Sequence, residues 1–174
     1  MLLCMKLIVC LVLCVSALVP STARAALMPQ SQFAAFRGAW TCTVRASAPP
    51  HKVRFISHWT FAPADAGGWM RLSYGSGGEI GGNAVVGYLA KEHTWIYEDF
   101  HTDGSYAHER GSIANGVWTW AGTYYPPHGA APITGKVEWH TKSRAAFEML
   151  FYPPGASSTS APSGKQSCVR TQPY

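Results

Sequence analysis

From about residue 40 onward, short runs in which apolar and polar residues alternate recur along the chain, separated by turn-forming residues. The clearest is Val53 to Phe61, where Val53, Phe55, Ser57, Trp59 and Phe61 share one face and Arg54, Ile56, His58 and Thr60 the other. A period of two marks a half-buried strand. Comparable runs are Trp40 to Arg45, Trp69 to Tyr74, Ala84 to Ala90, Thr94 to His101 and Tyr106 to Ile113. Four more follow at Val117 to Tyr125, Thr134 to Lys142, Ala145 to Tyr152 and Gln166 to Thr171. Asp103-Gly104 and Asn115-Gly116 predict hairpins with type I′ turns, because glycine takes positive φ at little cost. Ser143-Arg144 marks a third hairpin. Gly75 to Asn83, Pro126 to Pro132 and Pro153 to Gly164 read as loops, and Gln30 to Phe36 as a helical turn. Strands joined by hairpins without long crossovers predict an all-β, antiparallel up-and-down meander. Closure into a barrel of about 8–10 strands would remove the unpaired edges, with a two-sheet sandwich as the alternative.

The first residues carry a different pattern. Lys6 precedes an apolar run from Leu7 to Val19, Pro20-Ser21-Thr22 interrupts it, and Ala23-Arg24-Ala25 places small residues at −3 and −1. This predicts a signal peptide over residues 1–25, cleaved after Ala25, leaving residues 26–174 as a single barrel domain. The run of about 13 residues is short for a membrane span, which needs roughly 20. The expected location is secreted or periplasmic, with no stable membrane insertion after cleavage. Cys4, Cys10 and Cys14 leave with the leader, so Cys42 and Cys168 remain. In an oxidising compartment two cysteines point to one disulfide, the other reading being two separate buried thiols.

Charge narrows the partners. Without Lys6 and Arg24 the chain holds 12 basic and 9 acidic residues, scattered with no basic run, so nucleic acid is not an expected partner. Seven tryptophans and eight tyrosines are more informative, because such side chains suit half-buried strands and pockets with polar rims.

Phe36-Arg37-Gly38-Ala39-Trp40 resembles the Gly-x-Trp opening of lipocalin-like (calycin) barrels. The resemblance implies that Trp40 closes one end of a barrel. A wider set of elements comprises Gly38-Ala39-Trp40-Thr41-Cys42, Gly67-Gly68-Trp69, Trp95, Asp103-Gly104-Ser105-Tyr106, Gly116-Val117-Trp118 and Cys168. In that order they resemble a poorly characterised group of secreted bacterial calycin-like proteins, over about residues 33–171. No shared activity transfers with the resemblance.

Candidate chemistry follows from the strand faces. Trp95 and Tyr97 share one face, Trp118 and Trp120 another, and Phe55 and Trp59 a third. Such aromatic faces can line a lumen that holds a small apolar or aromatic molecule, or simply fill a core. Arg71 with Ser73, His108 with Arg110, and Glu138 with His140 are polar pairs at the same spacing. Ligand-binding candidates are therefore Phe55, Trp59, Arg71, Trp95, Tyr97, Trp118 and Trp120. Were the barrel an enzyme without cofactor, such as an isomerase, cyclase or hydratase, Glu138 with His140 or Asp99 with His101 would be its acid–base pairs. No His-x-His or His-x₃-His pair predicts a metal site. Haem binding in a nitrobindin-like barrel is a further reading, with His58 or His140 as proximal ligand. No other cofactor is implied. A recognition role for the loops at Gly75 to Asn83 and Pro126 to Pro132 completes the set.

Overall fold

The computed structural model describes residues 32–46, 53–64, 68–77, 81–157 and 159–172. The expected leader, residues 1–25, lies outside these. Ten strands follow in order: β1 (Gly38–Ala46), β2 (Val53–Pro63), β3 (Met70–Gly75), β4 (Gly81–Leu89), β5 (Thr94–His101), β6 (Tyr106–Ala114), β7 (Val117–Tyr125), β8 (Ile133–Ser143), β9 (Ala146–Tyr152) and β10 (Gly164–Gln172). Each pairs antiparallel with its sequence neighbours, and β1 also pairs with β10, so the sheet closes on itself. The result is an up-and-down all-β barrel, compatible with a calycin-like architecture. The sandwich alternative is excluded by the β1–β10 ladder.

Two local features differ from the sequence expectation. β4 begins at Gly81, not Ala84, because Gly81 and Gly82 pair with Gly75 and Tyr74 and shorten the glycine-rich connection. At the β6–β7 hairpin both Asn115 and Gly116 have positive φ, at 51° and 76°, as a type I′ turn requires. At Asp103-Gly104 only the glycine does, at 84°, so that turn is not type I′. The His101 N–H instead bonds Ser105 O at 3.0 Å, and the Asp103 carboxylate accepts from the Ser105 N–H at 2.9 Å and hydroxyl at 2.6 Å. Those local bonds hold Asp103 in ordinary backbone geometry and leave Gly104 as the single left-handed residue.

One end of the barrel is packed solid. The chain enters as a helical turn at Gln32-Phe33 that continues as a 3₁₀ turn over Ala34–Phe36, and both Phe33 and Phe36 are buried inside. The Phe33 ring lies 5.1 Å from Trp118, 5.7 Å from Trp95 and 5.9 Å from Trp139. Gly111 of β6 stands opposite both Trp95 and Trp120, so the strand between the large indoles contributes almost no volume. Trp120 fills space at a cost: its Nε1–H is the one fully buried side-chain polar atom among the described residues with no partner. Trp40 sits at this end, donating from Nε1 to Phe36 O at 2.7 Å, with the Arg170 guanidinium 4.3 Å over its ring. Arg170 also donates to the carbonyls of Ala35, Arg37 and Arg144, which pins the plug to β10.

Cys42 and Cys168 stand opposite each other in the β1–β10 ladder and are bonded, so a covalent link joins the first and last strands. On the chain-entropy view, removing it through Cys42→Ala with Cys168→Ala should lower stability by about 4–5 kcal/mol in denaturant titration. Phe33→Ala should cost about 3–5 kcal/mol by the same measurement, since it leaves a cavity among Trp95, Trp118 and Trp139.

Candidate functional site in the barrel lumen

Because neighbouring strands are antiparallel, the ends of odd strands and the starts of even strands meet at the barrel end away from the plug. Here the inward side chains leave a cavity of about 240 Å³. One wall is apolar, with Val44 from β1, Phe55 and Trp59 from β2, Val137 and Trp139 from β8, and Met149 and Phe151 from β9. The opposite wall is polar, with Tyr74 from β3, Tyr97, Asp99 and His101 from β5, and Glu109 from β6. Ser57 and Gln166 add two neutral polar groups. The alternation of each strand turns these residues inward while the intervening ones face out.

Asp99 organises the polar wall and is only 8% exposed. Tyr74 Oη donates to its Oδ1 at 2.8 Å and Tyr97 Oη to its Oδ2 at 3.2 Å. His101 brings Nε2 to 3.5 Å from Oδ2 and Nδ1 to 3.0 Å from Tyr74 Oη. Since Tyr74 has one proton and gives it to Asp99, His101 Nδ1–H is the donor in that last contact. Burial pushes the Asp99 carboxyl above its ordinary range, partly offset by His101 and the two tyrosine bonds. Burial and the adjacent Asp99 charge push both tyrosines up as well, so they remain neutral donors. The position of Tyr74 depends on Gly82, because a Cβ there would collide with the Tyr74 hydroxyl.

Glu109 stands opposite Tyr97 in the β5–β6 ladder and accepts no hydrogen bond from any described residue. Burial, and secondarily the Asp99 charge, push its carboxyl up to about 7. A carboxyl poised there can hold a proton or a positive charge at neutral pH, and the apolar wall across from it can hold a ring or chain.

The residues singled out from sequence divide into three sets. Phe55, Trp59, Tyr97, Asp99 and His101 all line this cavity. Trp95, Trp118 and Trp120 are buried at the plugged end, packed around Phe33 in tilted and edge-on contacts, and are not among the residues lining the cavity. Arg71, Glu138 and His140 face outward, and this corrects their reading as lumen groups. Arg71 is exposed because Met70 and Leu72 take the interior positions of β3. Glu138 accepts from Lys136 at 2.9 Å and Tyr152 at 3.0 Å and lies 3.1 Å from His140, all on the outer face, while Val137 and Trp139 line the cavity. His58 also faces out, 3.3 Å from Thr41 Oγ1, so neither His58 nor His140 can be the proximal ligand of a group in the lumen.

Tyr74, Glu109, Trp139 and Gln166 were not singled out from sequence. Trp139 had a signal, since it and Val137 are the apolar partners between Lys136, Glu138 and His140. Glu109 had none: its same-face neighbours Ala107 and Gly111 are small, so β6 shows no apolar stripe.

Among the described residues no three His, Cys, Asp or Glu come together as a metal-binding group, and no helix is long and apolar enough to cross a membrane. No protein-family model matches the chain, and no curated protein matches it.

A raised carboxyl pKa means the folded state holds the proton more tightly than the unfolded state. Its stabilising effect is present at low pH and lost as pH rises through the folded value of about 7. Glu109→Gln removes that dependence. Relative to wild type, the variant should gain on the order of 3 kcal/mol between pH 5 and pH 8 in paired denaturant titrations.

Proposed function

We propose that this chain is an exported protein of the secreted bacterial calycin-like group, binding a small, largely apolar or aromatic molecule in its lumen. The observation that carries this is the contrast between the two barrel ends. Phenylalanine and tryptophan pack one end shut, whereas at the other Phe55, Trp59, Trp139 and Phe151 surround open space. Filling such a space would stabilise the fold by on the order of several kcal/mol, so a retained lumen points to an occupant. At about 240 Å³ it is smaller than the roughly 300–1,000 Å³ of drug-sized sites, which suits a single-ring molecule. The leader-like residues 1–25 and the Cys42–Cys168 bond support export, since such bonds persist in oxidising compartments. The connection carrying Pro126 to Pro132 follows β7, an odd strand, so it flanks the open end and is the loop best placed for a recognition role.

A second reading, an acid–base enzyme without cofactor, is favoured by Asp99, His101 and Glu109 sharing the lumen. Under it, His101→Gln abolishes turnover of a bound molecule while its affinity stays within about threefold.

Titration with propylbenzene and indole, followed by calorimetry and tryptophan fluorescence, tests the binding reading. Both should bind one to one, Val137→Trp should block the lumen, and Phe55→Ala should weaken binding by about tenfold. Absence of binding to wild type, or affinities untouched in both variants, would refute it.

A further inference from the structure

We infer that the lumen selects molecules carrying a protonated amine on a small aromatic or apolar body, the ammonium lying on the Glu109–Asp99 side and the body against Trp59 and Trp139. This rests on the lumen-binding reading and specifies its ligand.

The first support is the charge of the lining. Its ionisable groups are two carboxyls, two tyrosines and one histidine, with no lysine or arginine among them. His101 is already engaged by Tyr74 and Asp99. An anionic ligand would therefore meet carboxylates with no cation free to receive it. The second support is Glu109. A carboxylate offers about four lone-pair sites, and no described residue donates to any of them. A neutral apolar occupant would seal this group further from water and leave it without a donor, which is costly for a buried charge. An ammonium brings three donors and the opposite charge, and so satisfies what the protein leaves open.

The third support is the wall itself. Trp59, Tyr74, Tyr97 and Trp139 bring aromatic rings to the same cavity, and indole faces attract cations most strongly among aromatic side chains. Asp99 differs from Glu109 in being held by two tyrosine hydroxyls. It keeps a negative centre in place, while Glu109 has capacity to spare. Electrostatic preference and apolar enclosure thus come from opposite walls of one small cavity.

Three probes of similar size separate the possibilities: phenethylamine, neutral propylbenzene and anionic phenylacetate, titrated calorimetrically into the full protein at pH 8. Phenethylamine should bind at least about tenfold tighter than propylbenzene, as a charge-assisted hydrogen bond implies, with phenylacetate weakest. Glu109→Gln should erase the amine preference, weakening phenethylamine by about tenfold or more while propylbenzene binds at least as tightly as it does to wild type, because the charge that a neutral occupant seals from water is gone; retained propylbenzene binding also reports that the variant is folded. Asp99→Asn should reduce the preference independently. Equal or weaker binding of the amine than of propylbenzene, or a preference surviving in both variants, overturns the inference and leaves lumen binding intact. Binding of none of the three overturns lumen binding, and this inference with it.

Discussion

The pairing of β1 with both β2 and β10 is the constraint on which the rest of the structure depends. Once the first strand is shared between the two ends of the meander, no edge remains, and every strand must place one face in a single enclosed volume. The Cys42–Cys168 bond lies within that closing ladder, so covalent and hydrogen-bonded closure coincide. Everything inward then competes for limited space. Gly111 between Trp95 and Trp120, and Gly82 beneath Tyr74, are both consequences of that competition.

The same enclosure divides the interior into two environments. At the plugged end Phe33 and Phe36 bring apolar volume from outside the sheet, so the indoles of β5 and β7 meet rings and exclude water. At the far end no chain segment among the described residues enters. The polar groups of β3, β5 and β6 can therefore occupy inward positions there without being crushed against apolar neighbours. Asp99 is tolerable in that setting because Tyr74 and Tyr97 donate to it. Glu109 is held without such donors, its carboxyl shifted toward neutrality by burial. A barrel with a solid base and a partly polar cup suits capture of a small molecule better than chemistry spread over an exposed surface.

Much of this was legible in the sequence. The alternation in Val53 to Phe61 placed Phe55 and Trp59 on one face with Ser57 between them, and all three line the cavity. Strand spacing and the turn pairs marked ten strands and an up-and-down order. Periodicity, however, groups residues into faces without saying which face is inward. Glu138 and His140 were grouped correctly and lie outside, because Val137 and Trp139 bury more apolar area there. Nor does a strand pattern say which end of a barrel is filled, so Trp118 and Trp120 were indistinguishable from Trp59 until Phe33 was placed among them. Glu109 was hidden for a different reason. Small residues on its face yield volume to neighbouring strands, and a stripe of Ala107, Glu109 and Gly111 carries no hydrophobic signal.

The lumen as a binding site is the central claim, and crystallography of the protein grown with propylbenzene tests it most directly. Density for one probe molecule between Phe55, Trp59 and Trp139 is the expected result, with the plugged end unchanged. A lumen collapsed by its own side chains, or filled with ordered water while the probe sits elsewhere, would contradict it.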